Sequence, residues 1–337
     1  MWRQPLMNLS RPWRWVVRSF FVVLLVFSIG AATLVLSLIN HIEFAVETVT
    51  DPVEPPFPVG VDPVRKEIRE QPDVDTFRST YIAQSPRQPT ANDWFDRIFA
   101  HLTQSAWLQN LALSSSRVLV IFAGERHEEV ARNFGGILNW TTTERTSFIT
   151  QVQAAYPQVP EGSFLPGKYV VHKDADPSTV AQLLIDSFNR EVVRRYPADV
   201  DAVIPLDEAL VIASLLEREA YDFTDMREIS GVIWNRLFVD MPLQLDATLQ
   251  YARATGVGGT WWPVPRSQDK WIDSPFNTYQ NDGLPPHPIA NPSVEAILAA
   301  LNPIATDCLF YIHAAGGAFY CAPTYAEHRQ NINRYLR

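Results

Sequence analysis

Residues 206–220 read LDEALVIASLLEREA, and this stretch decides the fold of the C-terminal half. Its apolar side chains recur at helical spacing, which predicts a helix from Leu206 to Ala220. At about 100° per residue, Glu219 falls within about 80° of Val211, Ile212, Leu215 and Leu216, whereas Glu217 projects roughly 160° away, beside Leu210, Ala213 and Ser214. The two carboxylates therefore face different surroundings. A carboxylate among apolar side chains loses hydration, so its neutral form is favoured and its pKa rises, as a general acid near neutral pH requires. Glu219 is the leading catalytic candidate on this ground. The competing reading of the same residue is a buried, hydrogen-bonded structural acid.

Downstream, a second helix is expected from about Thr224 to Phe238, with Thr224 as its cap and Ile229, Val232, Ile233 and Leu237 as its buried stripe. Turn-rich segments with strand-like pieces follow, MPLQLDATLQY (241–251) and DSPFNTYQNDGLPPHPIANP (273–292), then a helix from Ser293 to Leu301 and a terminal hairpin. In that hairpin a two-residue turn at Gly316-Gly317 would set Cys308 opposite Tyr325 and Cys321 opposite Ile312, so pairing of the two cysteines is open but not indicated. Small core residues are the favoured reading, over a Cys321 nucleophile with His313 or His328 as base. Upstream, a strand-like run from Arg117 to Phe122, helical patterns around Glu128 to Leu138 and Thr143 to Ala155, and a second strand-like run from Lys168 to His172 give the order β-α-α-β. Asp176-Pro177-Ser178 then opens a helix running to about Arg195.

The N-terminus carries Arg3, Arg11, Arg14 and Arg18 ahead of Ser19 to Ile39, a run without formal charge. At 1.5 Å per residue that run reaches about 30 Å, the hydrocarbon thickness of a bilayer, so residues 19–39 are expected to be a transmembrane helix. The positive-inside bias makes residues 1–18 cytoplasmic and exports the remainder. A cleaved signal peptide is the competing reading, but its apolar region is usually shorter. With the four N-terminal arginines set aside, 24 basic residues stand against 37 acidic ones, a net charge of −13 that disfavours nucleic acid. Prolines crowd residues 51–90, and 40–90 reads as an extended extracytoplasmic linker, followed by an amphipathic helix from Trp94 to Ala112. The expected fold class is α+β: a transmembrane helix, a small β-α-α-β region within 91–205, and a mixed α+β catalytic domain over 206–337. The β-α-α-β order resembles LysM-type modules, which bind amino-sugar polymers.

The motifs ASLLERE (213–219), VIWNRL (232–237), MPLQLDAT (241–248), FNTYQNDGLPPHPIANP (276–292), AALNP (299–303) and EH (327–328) occur in the order of the endolytic murein transglycosylase family, the YceG-like proteins also called MltG, which this chain resembles. PEGSFLPGKYVV (160–171) is similar to the family segment that precedes the catalytic domain. The resemblance implies a single-pass plasma-membrane protein that cuts peptidoglycan glycan strands within the chain, with Glu219 as the catalytic glutamate. It also implies partnership with peptidoglycan synthases or division proteins. This sequence departs from the pattern at Ala220 (usually polar), Ala247 (usually proline), His287 (interrupting LPPGPI) and Ala318 (usually histidine).

A lytic transglycosylase needs a single carboxylic acid, whereas a hydrolase of the same bond needs a second carboxylate, for which Asp246 and Asp273 are available. Asn235, Gln244 and Asn277 are candidate donors to the substrate's acetamido and hydroxyl groups. Asp246 and Tyr279 complete the candidate substrate-binding set. Each has a bland counterpart: a helix-end cap for Asn235, packing for Tyr279, a turn-holding bond for Asp246. The histidines show no metal-ligand spacing and no glycine-rich phosphate loop occurs, so neither a metal nor a cofactor is expected. Besides transglycosylase and muramidase, a catalytically silent glycan-binding scaffold remains a reading from a different class.

Overall fold

The computed structural model describes residues 55–84, 115–254 and 260–336. All of its elements belong to the compact unit Asp51–Arg337. The expected transmembrane helix at 19–39, its cytoplasmic flank and the Trp94–Ala112 helix lie outside the described residues. Among the described residues, no helix is long and apolar enough to cross a membrane.

The β-α-α-β region forms around two antiparallel strands. Residues 55–84 contribute the first elements of the described chain, β1 (Val61–Asp62), β2 (Glu67–Ile68) and α1 (Val74–Gln84). Strand β3 (Ser116–Ile121) then precedes α2 (His127–Leu138), α3 (Thr142–Ala155) and β4 (Gly167–His172). β3 and β4 pair from Ser116 opposite His172 to Ile121 opposite Gly167. Helix α3 starts with a reciprocal cap in which Glu144 N–H donates to the Thr141 hydroxyl and Thr141 N–H donates to the Glu144 carboxylate. Leu119, Ile121, Phe134, Phe148 and Phe164 fill the core of this module.

Helix α4 (Pro177–Glu191) is capped by Asp176 and ends four residues short of the expected Arg195, giving way to a short 3-10 turn over Val193–Arg195. Its side chains divide between two cores. Val180, Ala181 and Leu184 pack into the module, whereas Phe188 belongs to a larger core that continues through Val192, Tyr196, Val200 and Ile204 into the C-terminal half. After the single turn α5 (Ala198–Asp201), that core is built on α6 (Leu206–Glu219), α7 (Phe223–Phe238) and α9 (Val294–Leu301). Every residue of α6 from Ala209 to Leu216 is buried, so the predicted stripe is the face of a helix enclosed on all sides at its middle. Helix α7 is capped by Asp222, whose carboxylate accepts from Asp225 N–H, rather than by Thr224.

Three further expectations are corrected. The Pro-rich stretch is not an extended spacer over its described part: Phe57, Val61, Val74, Phe77 and Tyr81 from residues 55–84 all enter the large core. This strap is clipped to α9, with Gly60 N–H donating to Leu301 O (2.8 Å), Asn302 Nδ2 donating to Pro58 O (2.7 Å) and Arg78 paired with Glu295 (2.5 Å). The prolines obscured a 74, 77, 81 spacing that is one face of a helix. The segment DATLQYAR is not strand-like but forms helix α8 (Asp246–Arg253), burying Ala247, Thr248 and Leu249.

The third correction concerns the terminal hairpin, β5 (Phe310–His313) and β6 (Phe319–Ala322), which pairs Tyr311 with Cys321. Ala314 N–H closes onto Ala318 O, and the turn takes Ala315, Gly316 and Gly317, both glycines at φ +82°. That is one residue off the expected register, and a one-residue slip exchanges which side chains stand opposite one another. Cys308, two residues ahead of β5, forms a disulfide with Cys321, their Cα atoms 5.7 Å apart. A final helix, α10 (Tyr325–Tyr335), follows, capped by Thr324.

Candidate active site

Glu219 is the last residue of α6, where Ala220 turns extended and the chain leaves the core. Its carboxyl is half-buried and holds two donors. Ala247 N–H, in the first turn of α8, donates to Oε1 at 3.3 Å, and the Tyr311 hydroxyl on β5 donates to Oε2 at 3.1 Å. Burial pushes the Glu219 pKa up, the two hydrogen bonds oppose that shift, and the neighbouring Asp246 adds to it. The result is a carboxyl held above the ordinary carboxylate range yet supplied with donors for its anion. Such a group can give a proton and take one back.

Glu217 meets different partners, as the helical angle requires. Its Oε2 accepts from Ser293 N–H (3.0 Å) and the Ser293 hydroxyl (2.8 Å) at the start of α9. Burial raises its pKa as well, but both donors belong to the fold. This carboxylate ties two helices together.

Around Glu219 the structure assembles part of the predicted set. Gln244 and Asp246 flank the start of α8 with exposed side chains. Gln244 holds a left-handed backbone (φ +51°) and its N–H donates to Thr278 O. The Tyr279 hydroxyl donates to Asp246 Oδ1 at 2.8 Å, and the Lys270 ammonium lies 4.7 Å from the Tyr279 ring centre. Below them, the Thr248 and Thr278 hydroxyls bond each other at 3.0 Å, and Leu245 N–H donates to the Thr278 hydroxyl, locking the 244–248 turn to the 276–280 loop.

The remaining two predicted residues are committed to backbone. Asn277 is fully buried; its amide donates to Lys270 O and Ile272 O, and its Oδ1 accepts from Tyr279 N–H. It shapes the loop that presents Tyr279. Asn235 donates both amide hydrogens to Thr306 O (2.7 Å) and Cys308 O (3.1 Å), fixing the approach to β5. Neighbouring Arg236 binds Leu309 O at 2.6 Å and the Leu243 carbonyl, so one buried guanidinium joins the hairpin to the loop before α8.

Sequence reasoning left Tyr311 in the hairpin without a role. Its signal was alternation: Tyr311 and His313 share one strand face, and while Tyr311 meets Glu219, His313 Nε2 bonds both Asp225 oxygens at 2.9 Å. Other motif residues serve the joint between the module and the C-terminal half. Asn291 accepts from Phe164 N–H and Gly124 N–H and donates its side-chain amide to Glu125 O. Gly162 holds φ +92°, and a Cβ there would lie 2.8 Å from Pro288. Trp262 lies between the guanidiniums of Arg126 (4.4 Å) and Arg218 (3.9 Å), which braces the residue next to Glu219.

The YceG-like family matches residues 93–334. The endolytic murein transglycosylase of Bacillus subtilis strain 168 is 33% identical over 180 residues, which is 52% of this chain and 48% of that protein. The endolytic murein transglycosylase of Streptococcus pneumoniae serotype 2 strain D39 is 28% identical over 205 residues, 56% of this chain and 37% of that protein. The chain thus spans about half or less of the length of these curated relatives. A 2.6 Å crystal structure of a yceG-like protein from Listeria monocytogenes superposes with a TM-score of 0.56 at 24% identity, covering 70% of this chain and 80% of that one. At that identity the likeness establishes the fold alone.

Proposed function

The chain belongs to the YceG-like family, and from that premise we propose that it is an endolytic peptidoglycan lytic transglycosylase with Glu219 as its acid and base. The carrying observation is the Glu219 carboxyl: half-buried, raised in pKa by burial, and held by one donor on each oxygen. In the forward step Glu219 gives its proton to the oxygen joining N-acetylmuramic acid to N-acetylglucosamine, and the C1–O bond breaks. The muramyl C6 hydroxyl oxygen then bonds to C1, and its proton returns to Glu219. The product is a 1,6-anhydro end, no water is consumed, and the glutamate is regenerated.

Gln244, Asp246 and Tyr279 are the residues assigned to the substrate, because they are accessible beside α8. Asn235 and Asn277 are assigned to the framework. The β-α-α-β module is read as LysM-like and as the part that grips glycan. Anchoring by residues 19–39, with the N-terminus cytoplasmic and the rest exported, completes the reading, and the Cys308–Cys321 disulfide supports an oxidising compartment. Cooperation with peptidoglycan synthases or division proteins rests on the family resemblance.

Asp246 favours a second reading, a muramidase that hydrolyses the same bond, since its carboxylate neighbours the one that Ala247 N–H reaches. Mass spectrometry of products from purified glycan strands separates the readings. Anhydro-muramyl ends from the full chain, reduced on the order of 10² to 10⁴ in rate by Glu219→Gln, are the expected result. Reducing ends would move the assignment to a hydrolase. Strands bound but uncut would move it to a glycan-binding scaffold.

A further inference from the structure

We propose that Tyr311 is a positioning residue that makes Oε2 of Glu219 the reacting oxygen and stabilises it once its proton has left; this rests on the transglycosylase reading above. The two donors on Glu219 differ in kind. Ala247 N–H can only donate, whereas the Tyr311 hydroxyl accepts as readily as it donates. When Glu219 carries a proton, placing it on Oε1 would strand a partly buried backbone N–H, which is costly. Placing it on Oε2 keeps that bond and asks only that the phenol turn its hydrogen aside. Oε2 is therefore the oxygen that gives up the proton to the glycosidic oxygen.

As the proton leaves, the phenol turns back and donates to the new anion. The proton released by the muramyl C6 hydroxyl then restores the acid, and Tyr311 turns aside again. A hydrogen bond gained only as charge develops strengthens toward the transition state and so raises kcat rather than substrate affinity. The phenol has a fixed place from which to do this. Its ring stacks on Phe319 at 5.7 Å and meets His313 at 5.8 Å, and its strand position is held through Cys321 opposite, itself bonded to Cys308.

The test is Tyr311→Phe in the full chain, with kinetics on glycan strands and a ¹³C NMR titration of the Glu219 carboxyl, assigned by its loss in Glu219→Gln. Charge-assisted bonds of this kind correspond to roughly a ten- to hundred-fold fall in kcat, with KM unchanged. The bond favours the charged form, so its loss should also raise the Glu219 titration midpoint and carry the alkaline limb of kcat/KM to higher pH. Ala247→Pro, tolerated in a first helical turn, should raise the same midpoint. An unmoved midpoint, whether kcat falls or not, would overturn the proposal and leave Tyr311 a packing residue. Should Tyr311→Phe fail to fold, 3,5-difluorotyrosine at position 311 keeps the shape and sharpens the donor. It should lower the midpoint, and no change would overturn the proposal equally. If Glu219→Gln retained full activity, the transglycosylase assignment of Glu219 would fall, while the titration would still report on the hydrogen bond.

Discussion

Removing one ring from the strap should unfold far more than the strap. Phe77 is 8% exposed on α1, 5.4 Å from the ring of Phe57, which is 2% exposed and stacks edge-on against Tyr196 at 6.3 Å. A buried Phe→Ala change loses the transfer energy of the ring and leaves a cavity, together about 3–5 kcal/mol. Against a typical total stability of about 5–15 kcal/mol that is a large fraction, and it corresponds to a melting temperature about 10 °C lower. Phe77→Ala in the full chain, followed by urea denaturation and calorimetry, measures it. Val64→Ala, at an 88% exposed position of the same strap, is the control and should stay within about 0.5 kcal/mol. A fragment beginning at residue 90 should melt lower still, having lost Phe57, Val61, Val74, Phe77 and Tyr81 together. If Phe77→Ala cost under about 1 kcal/mol and that fragment melted with the full chain, the strap would be an accessory and not part of the core.

Other expectations are more local. Glu217→Gln weakens the carboxylate cap on Ser293 and should cost about 1–2 kcal/mol in denaturation while retaining most activity, the reverse of Glu219→Gln. Reducing Cys308–Cys321, thirteen residues apart in sequence, should cost about 3 kcal/mol by loop-closure entropy, read as a reductant-dependent drop in melting temperature; equal melting with and without reductant would contradict it. Burial pushes Glu125 up to about 8 from an ordinary 4.5, so between those pH values the folded chain holds a proton that the unfolded chain has lost. Its contribution is present below about pH 4.5 and fades as pH rises toward 8, and Glu125→Gln should flatten that decline in pH-dependent urea midpoints.

How much of this was legible depended on whether the local pattern and the tertiary partner agreed. The α6 helix was readable because a continuous apolar run and helical geometry point the same way, and the divergence of Glu217 from Glu219 follows from one angle. The strap was hidden because proline-rich composition outweighed three apolar residues at helical spacing. Helix α8 was misread because Leu245 stays extended before it, and an eight-residue helix with one buried turn looks like alternation. Asn277 shows a different limit. An asparagine in a turn-rich loop serves backbone and ligand equally well by chemistry, and only burial tells them apart. The hairpin register missed by one residue because the turn takes three residues rather than two, and the disulfide escaped for a separate reason: Cys308 lies ahead of β5, outside the paired stretch, where counting opposite partners does not apply. Helix α10 did carry a signal in Thr324 and Glu327, a capping pattern passed over beside the cysteines.

Helix α4 gives one core Val180 and Leu184 and the other Phe188. A single inserted residue between Leu184 and Phe188 would turn everything beyond it by about 100° and advance it about 1.5 Å. No rotamer change absorbs such a twist, so one core or the other would lose its registry. Substitutions here face only the ordinary tests of size and polarity, but the count of residues between the two anchor points is fixed. Over evolutionary time this helix should therefore accept spelling changes and refuse insertions and deletions, making its length a more durable mark of the architecture than its composition.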